Sequence, residues 1–156
     1  MNDKETLTVS QRWTGLLIIA GMLVLFGYLL LHQIEHTGFF TSKFGMWERL
    51  ALYGPIFISL IAPIVRAVTG QQNSGRPFEA MTNLSLAIGS FWLWIMFPFD
   101  FVHLADTLPE ALRFVIAWMS NDIGKILLML QWIVMPVTAL FTILKYLSVR
   151  RQAVAI

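Results

Sequence analysis

Cysteine is absent from the chain, which removes disulfides, thiolate metal ligands, cysteine nucleophiles and iron–sulfur ligation together. Histidine is scarce, three in 156 residues, so imidazole chemistry has few participants. Charge is thin as well: Asp, Glu, Lys and Arg make up 13% of the residues, against roughly a quarter in soluble domains. There is no Walker-type phosphate loop, no G-x-S-x-G elbow, and no basic and aromatic patch suited to nucleic acid. The net charge of +2 comes mostly from Lys and Arg flanking apolar runs, so it does not point to nucleic acid either. What is present is hydrophobic surface: 57% of the chain is apolar, gathered in four runs, each long enough to cross a bilayer at about 20 residues per helix.

These runs predict an all-α, polytopic integral membrane protein, one four-helix transmembrane domain over residues 1–156. The spans are expected at about 14–34, 47–69, 78–104 and 122–147. The first, "TGLLIIAGMLVLFGYLLLHQI", has an uncharged interior and no small-residue cleavage site before a mature domain, so it is expected to remain as an uncleaved helix. The second holds Pro55 and Pro63, which predict a bent helix. The third is expected to open near Pro77, with Glu79 favoured by the helix dipole, and the fourth near Asp122, capped by Ser120 or Asn121. The stretch "TGQQNSGRP" reads as a loop. Between the last two spans, Thr107, Pro109 and Glu110 suggest a helix start. Leu112, Val115, Ile116 and Met119 then recur at helical spacing, predicting a short interfacial helix at about 108–119 with Trp118 at headgroup depth. Small residues, Ser85 with Gly89 and Gly21 with Gly27, are expected to mark close helix packing.

Charge sets an expected orientation. Lys4, Arg12, Arg66, Arg76, Lys145, Arg150 and Arg151 fall on one side of the spans. Lys43, Arg49, Arg113 and Lys125 fall on the other, together with Glu35, Glu48, Asp100, Asp106, Glu110 and Asp122. The positive-inside rule places both termini in the cytoplasm of a cell with a plasma (inner) membrane. All three histidines then share the outer side with most of the acids.

Two outer clusters carry the available chemistry. In "LLLHQIEH", His32, Glu35 and His36 stand at i, i+3 and i+4, one face of a continuous helix. Those five letters resemble the H-x-x-E-H pattern of inverted zinc metallopeptidases, in which two His bind zinc and the Glu acts as base. They are also similar to the histidine boxes of membrane di-iron desaturases, a class that needs more histidines than this chain has. In "FDFVHLAD", Asp100, His103 and Asp106 form the second cluster. On a continuous third helix, Asp100 would lie roughly 10 Å from its centre and His32 roughly 12 Å from the centre of the first, at matching depth. Such a pocket of His32, Glu35, His36, Asp100, His103 and Asp106 would suit zinc, iron or copper, or a haem held by His103 with His32 or His36. The plainer expectation is that polar residues simply finish helices where the interface is wet. An acid one turn inside the boundary costs about 2 kcal/mol or more unless paired, so Asp100 should have a partner; His103, Arg49 and Lys125 are the candidates.

The function expected first is therefore an accessory or interaction subunit, embedded among membrane lipids and associated with a protein partner or with copies of itself. The alternative is a metal- or haem-binding membrane protein with redox or hydrolytic activity. A small transporter or channel ranks third, because the middle of all four runs lacks charge.

Overall fold

The computed structural model describes residues 6–154, which form an all-helical chain with two isolated bridges, Thr6 with Gln71 and Phe40 with Phe99. The helices are α1 (Val9–Ile34), α2 (Met46–Ser59), α3 (Ile61–Thr69), α4 (Gln72–Met96) and α5 (Asn121–Val154), with 3-10 turns at Phe101–His103 and Glu110–Val115. Three stretches are long and apolar enough to cross a membrane: α1, the α2–α3 pair over Met46–Thr69, and α5. The remaining helix, α4, has comparable length, but Arg76, Glu79, Thr82 and Asn83 occupy its first half. It is the central helix, packed by α2, α3 and α5.

Local chemistry explains where the elements begin and end. α1 starts earlier than its apolar run because Thr8 and Gln11 form a capping box: Gln11 N–H donates to the Thr8 hydroxyl (3.3 Å) and Thr8 N–H to the Gln11 side chain (2.9 Å). The second run is interrupted at a single residue, Leu60, between α2 and α3; Leu60 keeps right-handed helical dihedrals, and Met46–Thr69 still forms one stretch long enough to span. Pro63 has no N–H for the Ser59 carbonyl, and its ring crowds that carbonyl. Pro55 stays inside α2 and leaves the Ala51 carbonyl without its helical donor. That carbonyl faces Gly89 of α4, where a Cβ would come within 2.4 Å of the oxygen. The expected close packing at Gly89 is thus present, and only glycine fits. Gly21 and Gly27 differ from expectation, since nothing lies within 4 Å of a Cβ at either.

Two boundaries are corrected. The "TGQQNSGRP" loop is confined to Gly70 and Gln71; Gly70 ends α3 in the left-handed region (φ 68°), and the chain is helical again from Gln72. Gly75, inside α4, approaches the Ala62 carbonyl of α3 so closely that a Cβ would sit 2.9 Å from it. The third run does not reach residue 104. α4 stops at Met96, and Phe97 turns into the left-handed region (φ 37°), because the residue before Pro98 is disfavoured in the right-handed helix. Pro98 itself is fully buried. Residues 98–120 then form a strap, with two short 3-10 segments, rather than a continuation of α4. The short helix expected at 108–119 is present in reduced form, as the six-residue 3-10 helix Glu110–Val115, with Leu112, Phe114, Val115 and Trp118 exposed.

The strap is fastened by aromatics. Leu29, Phe39, Phe44, Ile56, Leu93 and Phe99 make the buried cluster. Phe39 stacks on Phe99 at 5.4 Å, and Phe40 on Phe44 at 4.0 Å. Phe101 reaches α5, where a Cβ on Gly124 would meet its ring at 2.2 Å.

Candidate functional site

The end of the molecule that carries the histidines is built on this strap. α1 ends at Ile34 with Glu35 as its cap, and His36 takes a positive φ of 50°. The i, i+4 face is therefore lost: His32 points into the protein, while Glu35 and His36 are exposed. His32 is 1% exposed, with its ring edge-on to Tyr28 at 4.9 Å and tilted on Phe39 at 5.0 Å.

Both nitrogens of the His32 ring are engaged. Nε2 lies 2.9 Å from the Leu104 carbonyl and 3.1 Å from the Thr107 hydroxyl, and Nδ1 lies 2.6 Å from the Thr37 hydroxyl. A carbonyl can only accept, so Nε2 carries the proton and Nδ1 accepts from Thr37. The Leu104 carbonyl also accepts from the Tyr28 hydroxyl. His32 thus ties α1 to the strap, and neither nitrogen offers an open lone pair to a metal. Thr107 serves this knot instead of capping a helix.

His103 lies on the other side of the same loop. Its ring covers Gly38, where a Cβ would come within 2.9 Å of it, and Gly38 has a φ of 95°, so glycine is required twice over. His103 Nδ1 pairs with Asp106 Oδ2 at 2.8 Å, both side chains being about two-fifths exposed. Asp100 stands outside any long helix. It caps the 3-10 turn by accepting from Val102 N–H (3.2 Å), and it accepts from the Asn121 amide (3.4 Å). Asn121 in turn accepts from Phe101 N–H at 2.7 Å. The expected partners His103, Arg49 and Lys125 are not used; Lys125 sits 4.9 Å over the Phe97 ring. The structure therefore places His32, Asp100, His103 and Asp106 in or against one strap, each spent on a separate local contact, while Glu35 and His36 are exposed at the end of α1. Among the described residues, no group of three or more His, Asp or Glu side chains is placed to hold a metal ion.

Two polar sites, one buried and one half-buried, were not anticipated from sequence. Glu48, 5% exposed, accepts from Trp92 Nε1 (3.0 Å) and Gly45 N–H (2.9 Å), joining the start of α2 to α4. At the opposite end, Arg66 pairs with Glu79 and donates from Nε to the Gln72 carbonyl at 3.3 Å, so it is held by protein. The signal for both lay in acids on otherwise apolar runs, which burial forces to find donors.

Cavities fall in different places. One of about 480 Å³ opens between α1, α3 and α4. A groove of about 450 Å³, lined by Trp47, Pro55, Gly89 and Trp92, runs between α2 and α4. A third of about 300 Å³ lies between α4 and α5 beside Arg76 and Lys145. No family model, curated protein or solved structure matches this chain.

Proposed function

We propose that the chain is a small four-span membrane protein that acts as an accessory or interaction subunit, without metal or haem chemistry of its own. The observation that supports this most directly is His32: the best-placed histidine is buried with both nitrogens spent on holding α1 to the strap. The polar residues at that end stabilise a fixed cap rather than converge on an open position.

In this reading α4 is the fourth span, its polar side chains shielded by α2, α3 and α5. The basic end, where Leu7 N–H donates to the Gly70 carbonyl at 2.9 Å and Arg76 and Lys145 line one cavity, faces the cytoplasm of a plasma membrane, with both termini inside. α1 is the helix offered to a partner. Only Leu29 and His32 are buried on it, and Trp13, Leu17, Gly21 and Val24 form an exposed apolar face at helical spacing.

Purification in mild detergent, with elemental analysis and an absorption spectrum, tests the proposal. The expected protein is colourless, free of bound metal, and associated at fixed stoichiometry with a partner or a second copy. Gly21→Leu should abolish that association without lowering the melting temperature. Stoichiometric metal lost equally in His32→Ala and His103→Ala, or a chain that remains solitary, overturns it.

A further inference from the structure

The cavity between α1, α3 and α4 has chemistry that the packing of the fold does not use. It runs along α1 from Arg12 to Met22, about 15 Å at the helical rise. At its mouth the Arg12 guanidinium lies beside Gly70, with no carboxylate paired to it among the described residues. Arg66, the other guanidinium on the wall, is neutralised by Glu79, so among the described residues Arg12 is the cation of the mouth that carries no paired carboxylate. Further in stands Asn83, 9% exposed. Its carboxamide lines the cavity and makes no hydrogen bond within the described residues. The amide is not sealed off by protein, so it stands open from the cavity to a hydrogen-bonding group. Leu16, Ile19, Met22, Leu86 and Met135 make apolar wall.

We infer that this cavity binds a phospholipid with an anionic headgroup, from the leaflet at the basic end. The order of chemistry fits one molecule: a guanidinium for the headgroup phosphate, an amide donor for a carbonyl of the glycerol esters, and apolar wall for an acyl chain. Inorganic phosphate would satisfy Arg12 but leave Asn83 and the apolar wall without a partner. Such a lipid would also cover the inner half of α1, whose contact with α3 there is slight: a Cβ on Gly15 would only just touch Pro63, at 3.8 Å. The inference goes beyond the subunit reading and rests only on the chain being a membrane protein.

The test is native mass spectrometry of the full chain released from detergent, titrated with phosphatidylglycerol, phosphatidylcholine, diacylglycerol and, separately, inorganic phosphate. One phosphatidylglycerol is expected to stay bound, with the other three at least about tenfold weaker, as loss of a charge-assisted contact implies. Arg12→Gln and Asn83→Leu should each weaken it about fivefold or more, while Ile88→Ala, in the groove between α2 and α4, should leave it unchanged. Because Arg12 is exposed, its variant keeps the test decisive even if Asn83→Leu folds poorly. Equal binding of diacylglycerol would show a merely apolar groove, equal competition by phosphate a free-anion site, and unchanged binding in Arg12→Gln an unspecific lipid annulus; each overturns the inference. Failure here leaves the subunit proposal standing, since that is read from partner stoichiometry and metal content.

Discussion

At the scale of single residues, the histidines show how a motif of five letters loses its meaning when the backbone turns. The spacing of His32 and His36 implies a shared face only while the helix lasts, and α1 ends between them. His32 then becomes a structural residue, and its replacement is expected to be costly. His32→Ala removes the acceptor of the Thr37 hydroxyl, leaves the Leu104 carbonyl with the Tyr28 hydroxyl alone and empties a fully buried ring site, for a loss of about 2–3 kcal/mol, checked by thermal unfolding in detergent. His36→Ala, on an exposed residue, should change stability by less than about 0.5 kcal/mol. Equal effects of the two would contradict the assigned roles. The acids and histidines of this end were legible as a cluster at one end of the apolar runs. Their partners, Thr37, Thr107, Asn121 and backbone carbonyls, were not, because hydroxyls and amides carry no distinctive spacing.

Prolines and glycines act at the scale of elements. Pro55 was legible as a perturbation of the second run, but its consequence needed the neighbouring helix: the carbonyl it frees at Ala51 meets Gly89. Gly89→Ala should force α2 and α4 apart and destabilise the protein by about 1–3 kcal/mol, again read by thermal unfolding. The same change at Gly21, where a Cβ meets nothing, should be neutral or slightly stabilising for the isolated chain. At the interruption, Pro63→Ala restores an N–H for the Ser59 carbonyl. It is expected to make α2 and α3 continuous, seen as a longer and narrower distance distribution between spin labels at Trp47 and Val68. The end of α4 illustrates the opposite case: hydropathy carried the predicted span through Pro98 to residue 104, whereas the helix stops at Met96. The physical reason is that Phe99, Phe101 and Leu104 are as apolar as a spanning segment but belong to a strap, Phe99 buried and the other two half-buried against it.

For the whole molecule, the question is which loops share a side. A cysteine-free chain permits a direct answer, since a single introduced thiol is the only target for an impermeant maleimide. Ala117→Cys in the strap is expected to label in intact cells, whereas Gln71→Cys between α3 and α4 should label only after permeabilisation. Labelling of both from one side would mean that α4 does not span. The sequence by itself determined the setting, an all-helical chain with runs long enough to cross a bilayer and cationic residues biased to one end, because length, hydropathy and charge are properties of residues taken in order. Tertiary structure alone decided that α4 is the centre, that His32 is spent internally, and that Asn83 is left facing a cavity. Those outcomes depend on which carbonyl, ring or amide arrives from a distant part of the chain, and no local pattern encodes that arrival.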